Sequence, residues 1–330
     1  MCLVVTPSLA NDNQKRHAGE AHRNPSPRLA SDVGCSAGPV EWCSIMQQFK
    51  VLQSLWAMER RHPDEAEWTL EQKLAMIRDA GFDGASVDFG DEDYAKYCAE
   101  FLKAHGLIWQ VEIFLDTVDQ LKPIVERVRK FGGDHINLLA RAKPYTLEEG
   151  VALVLGWRRI AEEAEIPLNI ETHRDNLTTD LIYTLHLLDC IPDLRLTADL
   201  SHYVVGREFW WPIGDADQRM IERILDHAWA LQGRVASREQ IQLQISFAHH
   251  REWLELFLRW WDYGMRSWRK RAAANDTLTF LCELGPKEYA MTGPDGYELS
   301  DRWQEALMLK DMARGLWQTI EAEERRNVAP

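Results

Sequence analysis

The sequence has few features of membrane-bound, disulfide-stabilised or dinucleotide-binding proteins. No apolar run is long enough to cross a bilayer, and no basic segment precedes the apolar start, so we predict neither a membrane span nor a signal peptide. The six cysteines form no C-x-x-C pair and have no regular spacing, which is typical of a reduced, cytoplasmic protein. No G-x-G-x-x-G segment follows the first apolar run, which argues against the usual dinucleotide-binding sheet.

Basic residues are also in the minority. The chain has 38 Lys and Arg against 52 Asp and Glu, for a net charge of −14, and no Lys/Arg-rich run stands out. A surface that binds nucleic-acid phosphates is usually basic. The sequence therefore predicts no nucleic-acid partner, although composition alone does not exclude a local basic groove.

The first 47 residues differ in composition from the rest. They are rich in Ser, Pro, Asn, Gly and Ala and have neither helical nor strand periodicity. Such a segment cannot bury enough apolar surface to offset the entropy lost on ordering. We therefore predict a disordered extension over residues 1–47 and one folded domain over residues 48–330.

From Phe49 onward, short apolar runs alternate with helical patterns. Thr69, Thr117 and Thr146 each begin an S/T-x-x-E/Q capping box, which is typical of the first turn of a helix. Eight strands are predicted, at residues 51–58, 84–89, 108–114, 135–140, 167–171, 194–199, 230–235 and 278–283. Eight strand–helix units favour a (β/α)₈ TIM barrel over a doubly wound open sheet, and 330 residues exceed the roughly 250 that such a barrel needs.

Carboxylates lie at the ends of three predicted strands. Glu171 ends IPLNIE, Glu283 ends TLTFLCE, and Asp199 ends LRLTAD just before His202. The carboxyl ends of parallel strands meet at one face of a barrel, so we expect these four side chains to lie together. The carboxylates would repel one another unless a cation held them. The pattern predicts a divalent metal site, although each residue alone also fits a local ion pair or a solvated strand end.

Further side chains fall on the same inward face by the two-residue period of a strand. His173 shares the parity of Glu171, and Gln232 shares that of Arg234. Gln232 can offer a neutral oxygen ligand to a metal. Arg234 can grip an anionic or polyhydroxyl substrate, or balance the carboxylates. Trp56, at the end of the first predicted strand, can pack against a sugar ring.

Four segments, IETHRD, LTADLSHYVVGREF, GRVASREQ and CELGP, resemble the xylose isomerase-like TIM-barrel superfamily in its sugar phosphate isomerase/epimerase branch. The resemblance runs from about Phe49 to the C-terminus. It implies one divalent cation (Mn²⁺, Mg²⁺ or Co²⁺) at the barrel mouth, with Glu171, Asp199 and Glu283 as ligands and His202 beside the substrate hydroxyls. The family has a histidine on strand seven where this chain has Gln232, and an amide oxygen is a weaker ligand than imidazole for the softer metals.

The resemblance implies a metal-dependent isomerase or epimerase of a sugar, sugar phosphate or related polyol. Glu171 and Glu283 would act as base and acid around an enediolate. Two alternatives stay open. Gln232 favours a catalytically silent barrel that binds a small polyol, while a phosphodiesterase like the apurinic endonucleases would need more metal ligands than the sequence offers. The expected partner is a small carbohydrate, and the sequence leaves a homo-oligomer open.

Overall fold

Eight parallel strands close into a barrel in the computed structural model, which describes residues 47–60 and 67–328. Each strand pairs with the next one along the chain, and the first pairs with the last. The strands are β1 Gln48–Ser54, β2 Gly84–Asp88, β3 Ile108–Leu115, β4 Ile136–Ala140, β5 Leu168–Glu171, β6 Leu196–Ala198, β7 Ala228–Gly233 and β8 Thr277–Cys282. The predicted TIM barrel is confirmed. The predicted extension, apart from Gln47, lies outside the described residues, and the domain limits stay a prediction.

Helices alternate with the strands. They are α1 Leu70–Asp79, α2 Glu92–Ala104, α3 Leu121–Phe131, α4 Leu147–Glu163, α5 Leu181–Cys190, α6 Ser201–Gly206, α7 Asp215–Leu225, α8 Arg251–Arg271 and α9 Arg302–Val328. The capping boxes of Thr69 and Thr146 open α1 and α4, and that of Thr117 opens a short 3₁₀ turn that leads into α3. Within the described ranges, no helix is long and apolar enough to span a membrane.

Two local differences from the sequence prediction concern the barrel mouth. The first strand ends at Ser54 rather than at residue 58, because Trp56–Met58 forms a 3₁₀ turn whose Ala57 and Met58 are buried. The apolar run that predicted the first strand therefore continues past the end of the strand. The segment after β6, predicted as a turn, is the short helix α6, and it carries His202 on its first turn.

The apolar core lies between the barrel and the helices. Outward-facing side chains such as Val51, Ile170 and Phe280 are buried under the helices. Trp261 of α8 meets the Phe280 ring edge-on, with 5.0 Å between the ring centroids. Each large side chain buried here contributes on the order of 1.5–3 kcal/mol, so this outer layer supplies most of the apolar stabilisation.

The inside of the barrel is largely polar, although Leu52 and Leu281 are also buried there. The buried inward-facing side chains below the mouth include Ser86, Gln110, Asn137, Asn169, Thr197, Gln232 and Thr279. Bulky branched apolar residues are the usual filling of such a barrel. Here, amide and hydroxyl groups form a polar floor beneath the mouth.

Candidate active site

A cavity of about 720 Å³ opens at the C-terminal mouth of the barrel. Its size is suited to a small molecule. The residues that line it include Trp56, Glu171, His173, Arg234 and Glu283. A second cavity, of about 650 Å³, lies at the opposite end beside the starts of β5 to β7, and no predicted site residue lines it.

Strand topology brings the charged side chains of the mouth together. Glu171 is the last residue of β5, while Asp199, Arg234 and Glu283 directly follow β6, β7 and β8. One carboxylate oxygen from each of Glu171, Asp199 and Glu283 lies within 4.8 Å of the other two. All three side chains are buried. Without a positive charge, three carboxylates at this separation would favour protonation of at least one of them.

Arg234 supplies a positive charge within this group. Its Nη1 donates to Oδ2 of Asp199, and its Nη2 donates to Oε2 of Glu283 at 2.9 Å. The guanidinium carbon lies 4.9 Å from the ring centroid of Tyr289 and 5.9 Å from that of Trp56. Burial lowers the pKa of Arg234, but the two carboxylates outweigh it and the pKa is raised. Arg234 is therefore a fixed cation beside the cavity.

Asp199 has protein donors on both of its oxygens. Its Oδ1 accepts from the backbone N–H of Ser201 at 3.0 Å and from the Ser201 hydroxyl at 2.5 Å. These bonds tie the carboxylate to the first turn of α6, and Oδ2 is bonded to Arg234. The hydroxyl of Thr172 also donates to the Asp199 carbonyl at 2.9 Å and joins the ends of β5 and β6. Asp199 is thus held in one orientation.

Glu171 has only uncharged donors. Its Oε2 accepts from the amide groups of Asn137 at 2.5 Å and Gln232 at 3.0 Å. Its Oε1 has no hydrogen-bond partner in the described part of the chain. Burial raises the pKa of Glu171 well above its usual range, and the neighbouring Glu283 carboxylate adds to the shift. Burial likewise raises the pKa of Glu283, to about 8, although Arg234 opposes the shift.

One inward-facing carboxyl group, Glu112 of β3, was not predicted. The Ser86 hydroxyl donates to its Oε2 at 2.5 Å, and Gln110 donates to Ser86 at 3.3 Å. Burial raises the pKa of Glu112, while the Ser86 hydrogen bond opposes the shift. The sequence did contain a signal, because Glu112 is the only charged residue in the strand IWQVEIFL and shares the parity of Gln110.

The two histidines lie beside the carboxylates. The rings of His173 and His202 are 3.9 Å apart between centroids. The Nε2 of His202 is 3.5 Å from Oδ2 of Asp199 and 3.4 Å from Nη1 of Arg234. His173 lines the cavity, whereas His202 is buried behind it and is not among the lining residues. Burial lowers the pKa of both imidazoles, so both are neutral near pH 7.

Among residues 47–60 and 67–328, two groups of side chains are close enough together to hold a metal ion. They are Glu171 with Asp199 and Glu283, and Glu171 with His173 and His202. The first contains three of the four ligands predicted from the sequence, without Gln232, and its fit is poor. Asp199 and Glu283 are already hydrogen-bonded to Arg234. Toward Glu171, the third carboxylate, Gln232 directs its N–H group rather than its carbonyl oxygen. No catalytic step is therefore assigned to a metal ion at that group.

Comparison with known proteins gives the fold. No family model matches the sequence, and no curated protein matches it. Several solved structures are similar at low identity. A xylose isomerase-like TIM-barrel protein from Mycobacterium smegmatis in complex with magnesium is 12% identical, with a TM-score of 0.52 over 80% of this chain and 97% of that one. D-psicose 3-epimerase with D-tagatose from Clostridium cellulolyticum H10 is 12% identical, with a TM-score of 0.51 over 82% of this chain and 99% of that one.

A sugar phosphate isomerase/epimerase from Parabacteroides distasonis is also similar. It is 11% identical, with a TM-score of 0.53 over 82% of this chain and 95% of that one. The resemblance seen in the sequence is thus confirmed at the level of the fold, because these solved structures and this chain share a TIM barrel. Because one fold supports many activities, the function has to be argued from the site.

Proposed function

We propose that this chain is an isomerase or epimerase of a small sugar, sugar phosphate or related polyol, and that it moves a proton next to a carbonyl group. The observation that carries the proposal is the pair Glu171 and Glu283. Both carboxyl groups are buried beside the cavity, with oxygens within 4.8 Å of each other. Burial raises the pKa of both, to about 8 for Glu283. A carboxyl group whose pKa is near neutrality, as that of Glu283 is, both accepts and donates protons well.

The proposed reaction uses one glutamate in each protonation state. The carboxylate form takes the proton from the carbon next to the substrate carbonyl, and the electron pair of that C–H bond forms the C=C bond of an enediolate. The C=O electron pair moves onto the carbonyl oxygen, and the acid form of the other glutamate donates its proton to that oxygen. Protonation of the former carbonyl carbon, with loss of the hydroxyl proton on the adjacent carbon to a glutamate carboxylate, gives aldose–ketose isomerisation. Return of a proton to the opposite face of the carbon that lost it, with loss of the proton from the former carbonyl oxygen, gives epimerisation. Arg234 lies beside the charge that develops on the substrate oxygen.

The lining of the cavity suits a polyhydroxyl ligand. Aromatic rings of Trp56, Tyr94 and Tyr289 alternate with polar groups such as Ser86 and Asp88. Rings offer an apolar face to a sugar, while hydroxyl and carboxylate groups bind its hydroxyls. The same acidic lining disfavours a nucleic-acid backbone, which would need a basic groove.

None of these steps requires the Mn²⁺, Mg²⁺ or Co²⁺ ion predicted from the sequence. Asp199 and Glu283, two of the predicted ligands, are bonded to Arg234. A second candidate function, a silent barrel that binds a polyol without turnover, is favoured by one observation, namely the amide of Gln232 at the position of the expected histidine.

Exchange of substrate protons with solvent tests the proposal. The protein is incubated in D₂O with aldoses, ketoses, inososes and their phosphates, and C–H exchange next to the carbonyl is followed by NMR. We expect exchange for at least one compound, and a fall of roughly 10²–10⁴-fold in both Glu171→Gln and Glu283→Gln. Glu100→Gln, an exposed change on α2, serves as the matched control and should keep the wild-type rate.

Two results would count against catalysis by these glutamates. One is full exchange in both variants. The other is saturable binding of a sugar with no exchange at all, which would instead support the silent barrel.

A further inference from the structure

We infer that the buried guanidinium of Arg234 takes the place of the divalent cation at this barrel mouth, so that the site works without a metal ion. The part of this inference that concerns catalysis rests on the proposed function. The part that concerns cation binding does not, because it follows from the contacts among the carboxylates.

The first observation is the position of Arg234. It directly follows β7, and the pairing of Gln232 with Leu281 places it beside Glu283 at the end of β8. Its two terminal nitrogens are bonded to Asp199 and Glu283. The guanidinium therefore lies between two of the three carboxylates that a cation would bridge.

The second observation is that the carboxylate oxygens already have donors. Both oxygens of Asp199 are bonded, to Ser201 and to Arg234. Both oxygens of Glu283 have donors as well, with the Ser54 hydroxyl at 3.4 Å from Oε1 and Arg234 on Oε2. In Glu171, only Oε1 lacks a donor among the described residues. An ion entering the group would have to compete with most of these bonds.

The third observation is the amide of Gln232. Its Nε2 donates to Oε2 of Glu171 at 3.0 Å. The Oε1 of Gln232 has no hydrogen-bond partner among the described residues, but the N–H end of the amide is the end that faces Glu171. Gln232 and Arg234 thus act in the same direction, since both direct N–H donors at carboxylates from the same face of β7.

The cost of displacing Arg234 supports the same conclusion. The guanidinium is only 1% exposed and faces the rings of Tyr289 and Trp56. A dication bound to the same oxygens would lie close to this charge, with little water to screen the repulsion. If the ion displaced Arg234 instead, the guanidinium would lose both carboxylate partners while buried, which is strongly unfavourable.

A fixed guanidinium can do part of what a metal ion does. It neutralises the carboxylates and stabilises negative charge on a neighbouring oxygen. Its Nε is buried and has no partner within the described ranges. Arginine does not activate a water molecule as a metal does. The inference therefore restricts the site to proton transfer and disfavours metal-assisted hydrolysis.

Metal binding is the direct test. The purified full chain is dialysed against EDTA, its metal content is measured by elemental analysis, and it is titrated calorimetrically with Mn²⁺, Mg²⁺, Co²⁺ and Zn²⁺. The double variant Gln232→His/Arg234→Ala, which introduces the imidazole and removes the guanidinium, is treated in parallel. We expect no saturable binding to the wild type, and a new saturable site for one Mn²⁺ or Co²⁺ ion per chain in the double variant. Gln232→His alone, which keeps the guanidinium, should stay close to the wild type.

Several outcomes would overturn the inference. One tightly held ion per wild-type chain would do so, whether it is lost in Asp199→Asn or in His173→Ala, which tests the group with two imidazoles. A folded double variant that gains no metal site would show that Arg234 is not what excludes the ion. Circular dichroism establishes whether the double variant is folded.

A measurement on the wild type alone does not depend on any variant. Proton exchange into a substrate should be unchanged by EDTA and by added Mn²⁺. Exchange that EDTA abolishes and Mn²⁺ restores would contradict the inference and leave the proposed function intact. Absence of exchange with every sugar, together with absence of metal binding, would contradict the proposed function and leave the inference on cation binding intact.

Discussion

The two sides of the barrel mouth hold their carboxyl groups in different ways. On the β6 and β8 side, Asp199 and Glu283 share the guanidinium of Arg234. On the β3 and β5 side, Glu112 and Glu171 accept hydrogen bonds only from uncharged side chains. A charged donor favours the carboxylate form, whereas neutral donors offset burial less well. The β6 and β8 side therefore contains the fixed charge of Arg234, which opposes the rise in the pKa of Glu283, whereas an uncharged amide opposes the rise in the pKa of Glu171.

The largest expected effect comes from removing the shared cation. In Arg234→Met, Asp199 and Glu283 lose their common partner while buried. We expect the free energy of unfolding to fall by about 3–5 kcal/mol, as measured by urea denaturation. The matched control is Arg238→Met, since Arg238 forms surface pairs with Glu208 at 3.4 Å and Glu239 at 3.5 Å. Such pairs contribute about 0–1 kcal/mol. Equal losses of unfolding free energy in Arg234→Met and Arg238→Met would mean that the buried cation contributes no more to stability than a surface arginine does.

The next effect is a dependence of stability on pH. The pKa of Glu171 is raised well above its usual value and that of Glu283 is raised to about 8, so the folded chain keeps protons that the unfolded chain releases. Their stabilising contribution is complete below about pH 4 and is lost as the pH rises through the folded-state values. We expect the free energy of unfolding to fall between pH 5 and pH 8, by up to about 1.4 kcal/mol per pH unit for each group.

Glu171→Gln should flatten this slope, because the amide cannot titrate, whereas Glu100→Gln on α2 should retain it. Urea denaturation at pH 5, 6, 7 and 8 gives the comparison. A rise in stability over this range would mean that Glu171 and Glu283 are both ionised throughout and would contradict this prediction.

The smallest expected effect concerns a neutral donor. Asn137→Leu removes the amide hydrogen bond to Glu171. This bond lowers the pKa of Glu171, so its loss should raise that pKa further. We expect a loss of stability of about 0.5–1.5 kcal/mol, well below that of Arg234→Met, and a shift of the pH profile of proton exchange toward higher pH. A loss as large as that of Arg234→Met would show that neutral donors matter as much as the cation.

The order of the strands and the convergence of their ends could be predicted from the sequence. Alternating apolar runs and capping boxes determine the barrel, and the barrel determines that the strand ends meet. The partners of each carboxylate could not be predicted, because they depend on the stagger between strands. Parity placed Arg234 on the inward face, but only the pairing of β7 with β8 shows that it lies beside Glu283.

Glu112 was missed for a related reason. It lies inside a strand rather than at its end, and reasoning from strand ends does not reach it. His202 was placed on a turn, because a six-residue helix is too short to show a helical period. For both residues, tertiary contacts determine where the side chain lies, and the local sequence pattern does not reveal those contacts.

The separation between the apolar outer layer and the polar barrel interior has a consequence for how this protein tolerates change. Most apolar burial lies between the strands and the helices, so an inward-facing residue at the mouth can be exchanged without opening a hole in that layer. Exchange of an uncharged inward-facing residue such as Gln232 then alters the chemistry of the mouth with a smaller loss of stability than exchange of Arg234. The architecture allows the reactive face to diverge while the scaffold stays the same.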